Sequence, residues 1–483
     1  MENLINAIND IVWSNALIVL CLGAGIYFSI RTRFLQLRLF PDMLRLLFKG
    51  ESSDKGVSSF QAFSMAIAGR VGTGNIAGVA TAIAMGGPGA VFWMWVIAFL
   101  GSASAFIEAT LGQIFKQVQD GQYRGGPAYY IEKGLGMKWY AVVFALATII
   151  SMAFLLPGVQ SNSIATSMYA AFNIPVGITG GAITVLLALI IFGGVRRIGR
   201  VAEIAVPFMA GAYLLMTFVI IGLNITEVPA VLSLIIKSAF NIEPAFAGVF
   251  GMAISWGVKR GIYSNEAGQG TAPHAAAAAE VSHPAKQGLV QAFSVYVDTM
   301  LVCTATAFMI LFTGQYNVIN PDGGFIVENA PGIAFGPAFT QQAVNTHFPS
   351  LGGGFVAISL LLFAFTTIMA YYYIAETNLS YLSAKTSKGL LWALRVLMLA
   401  ATFYGSVKTA EAAWVLGDIG VGIMAWLNMV AMLLLSKPAL AALKDYEKQV
   451  KAGLDPVFSP IHLNIKNASE WEKPEEIKKE VIA

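Results

Sequence analysis

Eleven apolar runs, each long enough to cross a bilayer, cover most of this 483-residue chain. They fall near 11–30, 60–85, 88–113, 139–170, 177–195, 201–223, 244–280, 287–314, 352–380, 389–406 and 409–435. About 20 apolar residues in a row span the hydrocarbon as a helix, whereas barrel strands alternate apolar and polar residues. Only helices and closed barrels satisfy the backbone in lipid. The runs therefore predict an all-α polytopic membrane protein with 11 transmembrane helices. Composition agrees: 12% of residues are charged, half of the roughly 25% found in a water-facing domain. That excludes a cytoplasmic enzyme, a disordered chain and a nucleic-acid binder. Cys21 and Cys303 lie inside apolar runs and read as small buried residues, not as a disulfide framework or metal knuckle. The first ten residues hold two acids and no Lys or Arg, unlike the basic start of a secretory signal. The first run is expected to be a retained span.

An odd number of spans puts the two ends on opposite sides. With the N-terminus outside, the cytoplasmic segments 31–59, 114–138, 196–200, 281–287, 381–388 and 437–483 hold 24 Lys and Arg, and the external ones hold two, Lys237 and Lys408. Positive charge stays inside, so the reading is N-terminus out, C-terminus cytoplasmic, in the cell membrane. The segment 31–55 mixes Arg with Leu and Phe at helical spacing, which suits a helix in the inner interface. The external stretch 315–350 lacks Lys and Arg and is expected to pack as a lid. The tail 437–483 reads as solvated, beyond a transporter-like domain 1–436.

Two spans are interrupted. The second contains Ala68-Gly69-Arg70-Val71-Gly72-Thr73-Gly74-Asn75-Ile76-Ala77-Gly78, and the seventh runs from Ser255-Trp256-Gly257-Val258-Lys259-Arg260-Gly261 to Asn265-Glu266-Ala267-Gly268-Gln269-Gly270. Glycines and ionisable residues at mid-membrane depth are unfavourable unless the backbone unwinds beside a polar cavity. With 11–30 set aside as an extra N-terminal helix, the interrupted spans open two groups of five, 60–223 and 244–435. The first group starts from the cytoplasm and the second from outside, which makes a five-plus-five inverted repeat. Paired interruptions in matching places point to a secondary transporter's site. Close packing of small residues is the plainer explanation of such glycines. It does not account for Arg70, Lys259 and Arg260. Gly72-Thr73-Gly74-Asn75-Ile76-Ala77 also matches a dinucleotide fingerprint, but that motif needs a preceding strand in water.

Unwinding the second span leaves an outer half-helix starting near Gly74 and Asn75, whose N–H groups suit a carboxylate. The inner half ends near Ala68 to Val71, and its free carbonyls suit a hard cation. The interrupted seventh span, with Ser255, Trp256 and Val258, offers carbonyls to an ammonium group. An amino acid with Na⁺ beside it fits both. Phe363, Thr366 and Thr367 in the ninth span supply further oxygens, although a membrane threonine often bonds back to its own helix. Tyr371 shares a face with Thr367. Gln160, beside the Pro157 kink, is in reach of a substrate or of a neighbouring helix. Partners for Arg70, Lys259 and Arg260 are expected among Glu108, Asp298, Glu266 and Glu376. No histidine cluster or nucleophile–base set appears, which argues against an enzyme.

At Gly72–Gly78, Gly86-Gly87-Pro88-Gly89-Ala90-Val91-Phe92-Trp93-Met94-Trp95, Gly125-Gly126-Pro127-Ala128-Tyr129-Tyr130 and Tyr263-Ser264-Asn265-Glu266-Ala267-Gly268, the chain resembles the alanine or glycine:cation symporters. The resemblance runs from Trp13 to about Lys437 and implies a leucine-transporter-type fold. It places substrate near Thr73, Gly74, Asn75, Gln160 and Thr367, and sodium on the carbonyls of Ala68, Val71 and Phe363 with the hydroxyls of Thr366 and Thr367. Alanine-type members usually carry a small or hydroxylated residue at the place of Arg70, and Trp at the place of Tyr371. Arg70 with Tyr123-Arg124-Gly125-Gly126-Pro127 looks more like a glutamine-linked branch, and Tyr371 would enlarge the pocket. The expected activity is Na⁺-coupled import of small neutral amino acids (alanine, glycine, glutamine) by alternating access. A receptor or channel on the same scaffold, and H⁺ coupling through Asp298 or Glu266, are the alternatives.

Overall fold

The computed structural model describes residues 2–49, 53–383 and 387–472, and these are helical nearly throughout. An amphipathic helix α1 (Glu2–Val12) precedes the first span, α2 (Asn15–Arg31). Two short helices, α3 (Leu35–Arg38) and α4 (Phe40–Leu47), follow in the segment where an interfacial helix was expected. The second span is split into α5 (Ser59–Arg70) and α6 (Val79–Gly86), and α7 (Gly89–Ile114) returns as the third. A small hairpin, β1 (Gln117–Gln119) with β2 (Gln122–Arg124), and the turn α8 (Pro127–Tyr130) lead into the fourth span, α9 (Lys138–Ile150) and α10 (Leu156–Phe172). A wide π turn over Ser151–Leu155 joins them just before Pro157, which cannot donate to the helix ladder. The first group closes with α11 (Val176–Ile191) and α12 (Gly194–Leu223).

A surface helix α13 (Val228–Ala239) connects to the seventh span, α14 (Phe250–Asn265) and α15 (Ala272–Ala278). The eighth is α16 (Pro284–Val295) continuing through a π segment into α17 (Thr304–Thr313). The stretch expected to be a lid folds as a bulged hairpin, β3 (Asn317–Ile319) with β4 (Phe325–Glu328), and a helix α18 (Pro337–His347). Three more spans follow: α19 (Gly352–Leu382), α20 (Lys388–Val407) and α21 (Ala410–Lys451). Among the described residues, eight helices are long and apolar enough to cross a membrane by length and composition alone. The two split spans and the 16-residue α11 complete the eleven. A break divides a span into pieces too short to qualify, so two of the three missing crossings are the interrupted helices and the third is the short, continuous α11.

The central helix is α7, which packs along α14, α15 and α16. By contrast α12 turns Ile204, Phe208, Leu215 and Phe218 outward, as a lipid-facing helix does. The chain beyond 436 departs from a purely solvated tail. Helix α21 runs on to Lys451, and its 42 residues reach about 63 Å, twice the hydrocarbon thickness. The following segment folds back on the helices, where Phe458 and Ala468 are buried. The charged end, 473–483, lies outside the described residues.

Candidate functional site

The first break begins where α5 runs out. A capping box fixes the other end of α5: Ser58 Oγ accepts from Gln61 N–H, and Gln61 Oε1 accepts from Ser58 N–H. After Arg70 the chain leaves the helix at Val71 (φ −78°, ψ 89°) and re-enters through a π turn over Gly74–Gly78. Side chains take up the N–H groups freed between. Gly72 N–H donates to Asn75 Oδ1 at 2.8 Å, and Thr73 N–H donates to Gln160 Oε1 at 3.0 Å. Gln160 Nε2 donates to the Tyr371 hydroxyl at 3.4 Å. A Cβ at Gly72 would lie 2.5 Å from Thr367 Oγ1 and 3.0 Å from Gln160 Oε1, so close approach of three helices requires glycine there. Thr73, Gly74, Asn75, Gln160, Thr367 and Tyr371 are thus gathered around one break, all buried.

The ninth span supplies a hydroxyl at the inner half-helix. Thr367 Oγ1 lies 2.9 Å from Ala68 O, 3.4 Å from Val71 O and 3.0 Å from Phe363 O. Three acceptor-only carbonyls therefore converge on one hydroxyl, an oxygen set suited to a small hard cation. Thr366 does not join them in the same way. Its hydroxyl bonds back to Leu362 O and Phe363 O and faces Met209 Sδ on α12, the local bonding that membrane threonines favour.

The second break falls later than the glycine pattern suggests. Ser255, Trp256 and Val258 sit in the continuous turns of α14, where carbonyls serve the helix's own i→i+4 bonds and are not free for an ammonium group. The chain unwinds instead over Glu266–Thr271, with Glu266, Gly268 and Gly270 at φ 54°, 81° and 89°. An internal carboxylate holds this segment. Glu108 on α7 accepts from Gly268 N–H (3.2 Å), Gly270 N–H (3.1 Å) and Asn428 Nδ2 (2.9 Å). Asn428 also donates to Gly268 O at 3.0 Å and accepts from the Tyr130 hydroxyl. The two breaks are joined through Asp298, which accepts from Asn75 Nδ2 (2.7 Å), Ser264 Oγ (3.0 Å) and Thr299 Oγ1 (2.6 Å).

Two of the buried cations have another partner than the sequence suggested. Lys259 Nζ and the Arg260 guanidinium share Asp418 on α21 at 2.8–2.9 Å, beneath Trp13, Trp256 and Trp414. Glu376 pairs with Arg124 at 2.9 Å. Arg70 donates to Gln291 O and Ser294 Oγ on α16, and the buried carboxylates of Glu108, Glu266 and Asp298 attract it through space. Its hydrogen bonds go to α16, whereas Tyr371 bonds Gln160 at the first break. Pattern reading missed Asp418 and Asn428, which hold the buried cations and the second break.

Comparison with known proteins bears on the same elements. The model of the family described as sodium:alanine symporter family matches residues 1–460. YrbD of Bacillus subtilis (strain 168), provisionally named a sodium/proton-dependent alanine carrier, is 64% identical over 98% of this chain and 98% of its own. A sodium/proton-dependent alanine carrier protein of Bacillus sp. (strain PS3) is 56% identical over 89% of this chain and 97% of its own. Among solved structures, the Eremococcus coleocola manganese transporter in complex with an aromatic bis-isothiourea compound superposes with a TM-score of 0.51. It covers 84% of this chain and 90% of that one at 13% identity, a likeness of fold alone.

Proposed function

This chain belongs to the sodium:alanine symporter family, whose members are transporters and not enzymes, and from that membership we propose that it imports alanine and similar small neutral amino acids with Na⁺ by alternating access. The chain is a multi-pass membrane protein. The convergence of Ala68 O, Val71 O and Phe363 O on Thr367 Oγ1 carries the reading. A sodium ion there would replace one shared hydroxyl proton as the partner of three carbonyls, and would pull α5 and α19 together. Closing that seam positions Thr73, Gly74, Asn75, Gln160 and Tyr371 for the amino acid. The carboxylate goes to the first break, where the N–H groups of Gly72 and Thr73 are held only by the neutral amides of Asn75 and Gln160, which an anion can displace, whereas the carboxylate of Glu108 holds Gly268 N–H and Gly270 N–H of the second. Conversely, the acidic side lined by Asp298 and Glu266 suits the ammonium group. The repeats are assigned as 60–223 and 244–435, with 11–30 as the extra helix, and the charge asymmetry supports an external N-terminus.

The relatives' names couple sodium with protons, which favours a second reading in which H⁺ replaces or accompanies Na⁺. Uptake of labelled alanine, glycine and glutamine into proteoliposomes separates these. Accumulation driven by an inward Na⁺ gradient at equal pH is expected for alanine. Accumulation driven by a pH gradient without sodium would instead establish proton coupling. Binding without uphill uptake under either gradient would make the protein a receptor or channel and end the symporter reading.

A further inference from the structure

The cations at the Lys- and Arg-rich ends of the spans fall into two groups. In the first, each has an acid: Arg33 and Arg38 share Glu447, Arg45 pairs with Asp42, Arg124 with Glu376 and Lys286 with Asp455. The second group lies where α11, α12 and α20 come together. Arg196, Arg197 and Arg200 stand in the first turns of α12, and Lys388 and Arg395 on α20. Among the described residues, none of these five pairs with a carboxylate. Arg196 and Arg197 donate only to backbone oxygens, Asp54 O and Leu189 O, each at 2.6 Å.

Arg395 differs from the other four in depth. It lies two turns past Lys388, about 10 Å along the axis, inside an apolar run that crosses the bilayer. A charge at that depth is costly without a counter-charge. The side chain is half-buried and laid sideways: Nε donates to the Tyr372 hydroxyl at 2.9 Å, and Cζ stands 4.8 Å from the Phe192 ring centroid. Glu376, one turn along α19 from Tyr372, is taken by Arg124. The Nη groups, which form the outer fork of the guanidinium, have no hydrogen-bond partner among the described residues. The Phe192 ring also packs on Trp392 with centroids 4.9 Å apart, and Arg197 lies across the adjoining Gly193, where a Cβ would collide with its guanidinium. Two guanidinium groups thus lie against one turn, Phe192–Gly193. Beside it Leu189 on α11, Ile204 on α12 and Val396 on α20 are exposed, so this corner opens on lipid.

We propose that this corner binds an anionic phospholipid, its phosphate held by Arg395 and Arg197 and its acyl chains laid on the exposed faces of α11, α12 and α20. A guanidinium fork matches a phosphate in charge and in geometry, and basic pockets between spans hold lipid headgroups. The half-exposed Phe192 and Trp392 stand at the same level, as interfacial aromatic residues do. The lipid supplies the counter-charge that Arg395 lacks, and fastens α20 to the turn between α11 and α12. Helix α12 packs in turn on α5, the half-helix that leads into the first break. In the orientation that the charge asymmetry supports, the lipid belongs to the cytoplasmic leaflet. The inference is independent of which amino acid or ion is carried.

The test uses the full-length protein, delipidated in detergent and titrated with phosphatidylglycerol or with phosphatidylcholine of the same chains, bound lipid being read by native mass spectrometry. One phosphatidylglycerol is expected to stay bound under conditions that remove phosphatidylcholine. Arg395→Gln and, separately, Arg197→Gln are each expected to weaken its binding about 10-fold, as loss of one charge-assisted contact does. Arg45→Gln, which removes a cation of the acid-paired group, should leave it unchanged. Arg197 is exposed, so Arg197→Gln carries the test if Arg395→Gln fails to fold. Equal retention of the two lipids, or wild-type phosphatidylglycerol binding by either variant once folded, would overturn the proposal. Displacement of the lipid by inorganic phosphate at equal concentration would assign the two guanidinium groups to a free anion and overturn it as well. A dimer that the same variants dissociate would give this face to a second copy of the chain, with the same consequence.

Discussion

Thr366 and Thr367 differ by a single step along α19, and that step decides their chemistry. Successive residues on a helix are separated by about 100°, so two adjacent hydroxyls cannot both face the same break. Thr367 faces Ala68 and Val71, while Thr366 turns to Met209 and its own helix. Thr367→Ala is therefore expected to raise the sodium concentration for half-maximal alanine uptake by about 10-fold or more, the value of one good oxygen ligand to an ion. Thr366→Ala should shift it much less. Sodium titrations of uptake for the two variants check this, and equal shifts would return Thr366 to the ion site. The sequence showed the hydroxyl pair and the apolar run around it. Rotation about the helix axis is set by packing against α5 and α12, which no local pattern encodes. The same limit explains Arg70, whose place in the break was plain and whose direction, toward Gln291 and Ser294, was not.

At the scale of the element, the two breaks differ in how they are held. The first is held by its own Asn75 and by Gln160, and the second by Glu108 and Asn428, 320 residues apart in the chain. Its glycines also divide by task. A Cβ at Gly257 would meet Ala90 O at 2.5 Å, so this glycine lets α14 press against α7, whereas Gly268 and Gly270 take positive φ. In sequence all of these look alike, and the cluster at 257 and 261 drew the expected break about two turns too early. The split spans, the eleven crossings and the first break were all legible, because each follows from apolar run length and local residue type. The latch on the second break was not, because its members meet only in the folded chain. Glu108→Gln keeps the shape but sets an amide N–H₂ against N–H donors. It is expected to lower the unfolding midpoint by an amount corresponding to about 2 kcal/mol. Asn428→Ala removes donors to the same carboxylate, so the double variant should lose less than the sum of the singles. A thermal double-mutant cycle reads this directly, and strict additivity would mean that the two side chains act separately.

Across the whole molecule, the candidate site is shut from both sides. On one side, Asp418 ties α14 to α21. On the opposite side, the half-helices α5 and α15 are joined end to end: Val57 N–H donates to Ala278 O and Glu280 N–H to Val57 O, both at 2.9 Å. The segment after α21 then straps this junction. Phe458 N–H donates to Ser282 O at 2.9 Å, Lys286 pairs with Asp455 at 2.8 Å, and Trp471 Nε1 donates to Gln113 O at 2.9 Å. At its centre His283 packs between the rings of Tyr446 and Phe458. Burial pushes its imidazole below the ordinary range and keeps it neutral. Nδ1 accepts from Ala285 N–H, leaving Nε2–H to donate to Asp445 Oδ2 at 3.4 Å. A released strap exposes this histidine, which then binds a proton near its ordinary pKa of about 6.5. The released form therefore takes up more protons, so docking is at full strength above that value and weakens as pH falls through it. Hydrogen exchange over 454–471, corrected for intrinsic rates, is expected to lose protection between about pH 7.5 and 5.5. His283→Gln keeps a polar side chain without the titration, and should flatten that dependence. If protection in the unaltered protein stays constant across the range, the strap is held by Lys286, Trp471 and the backbone bonds alone. In the proposed orientation this strap lies on the cytoplasmic face across the α5–α15 junction, so a strap that loosens with acid would make the pH on that face a lever on opening there.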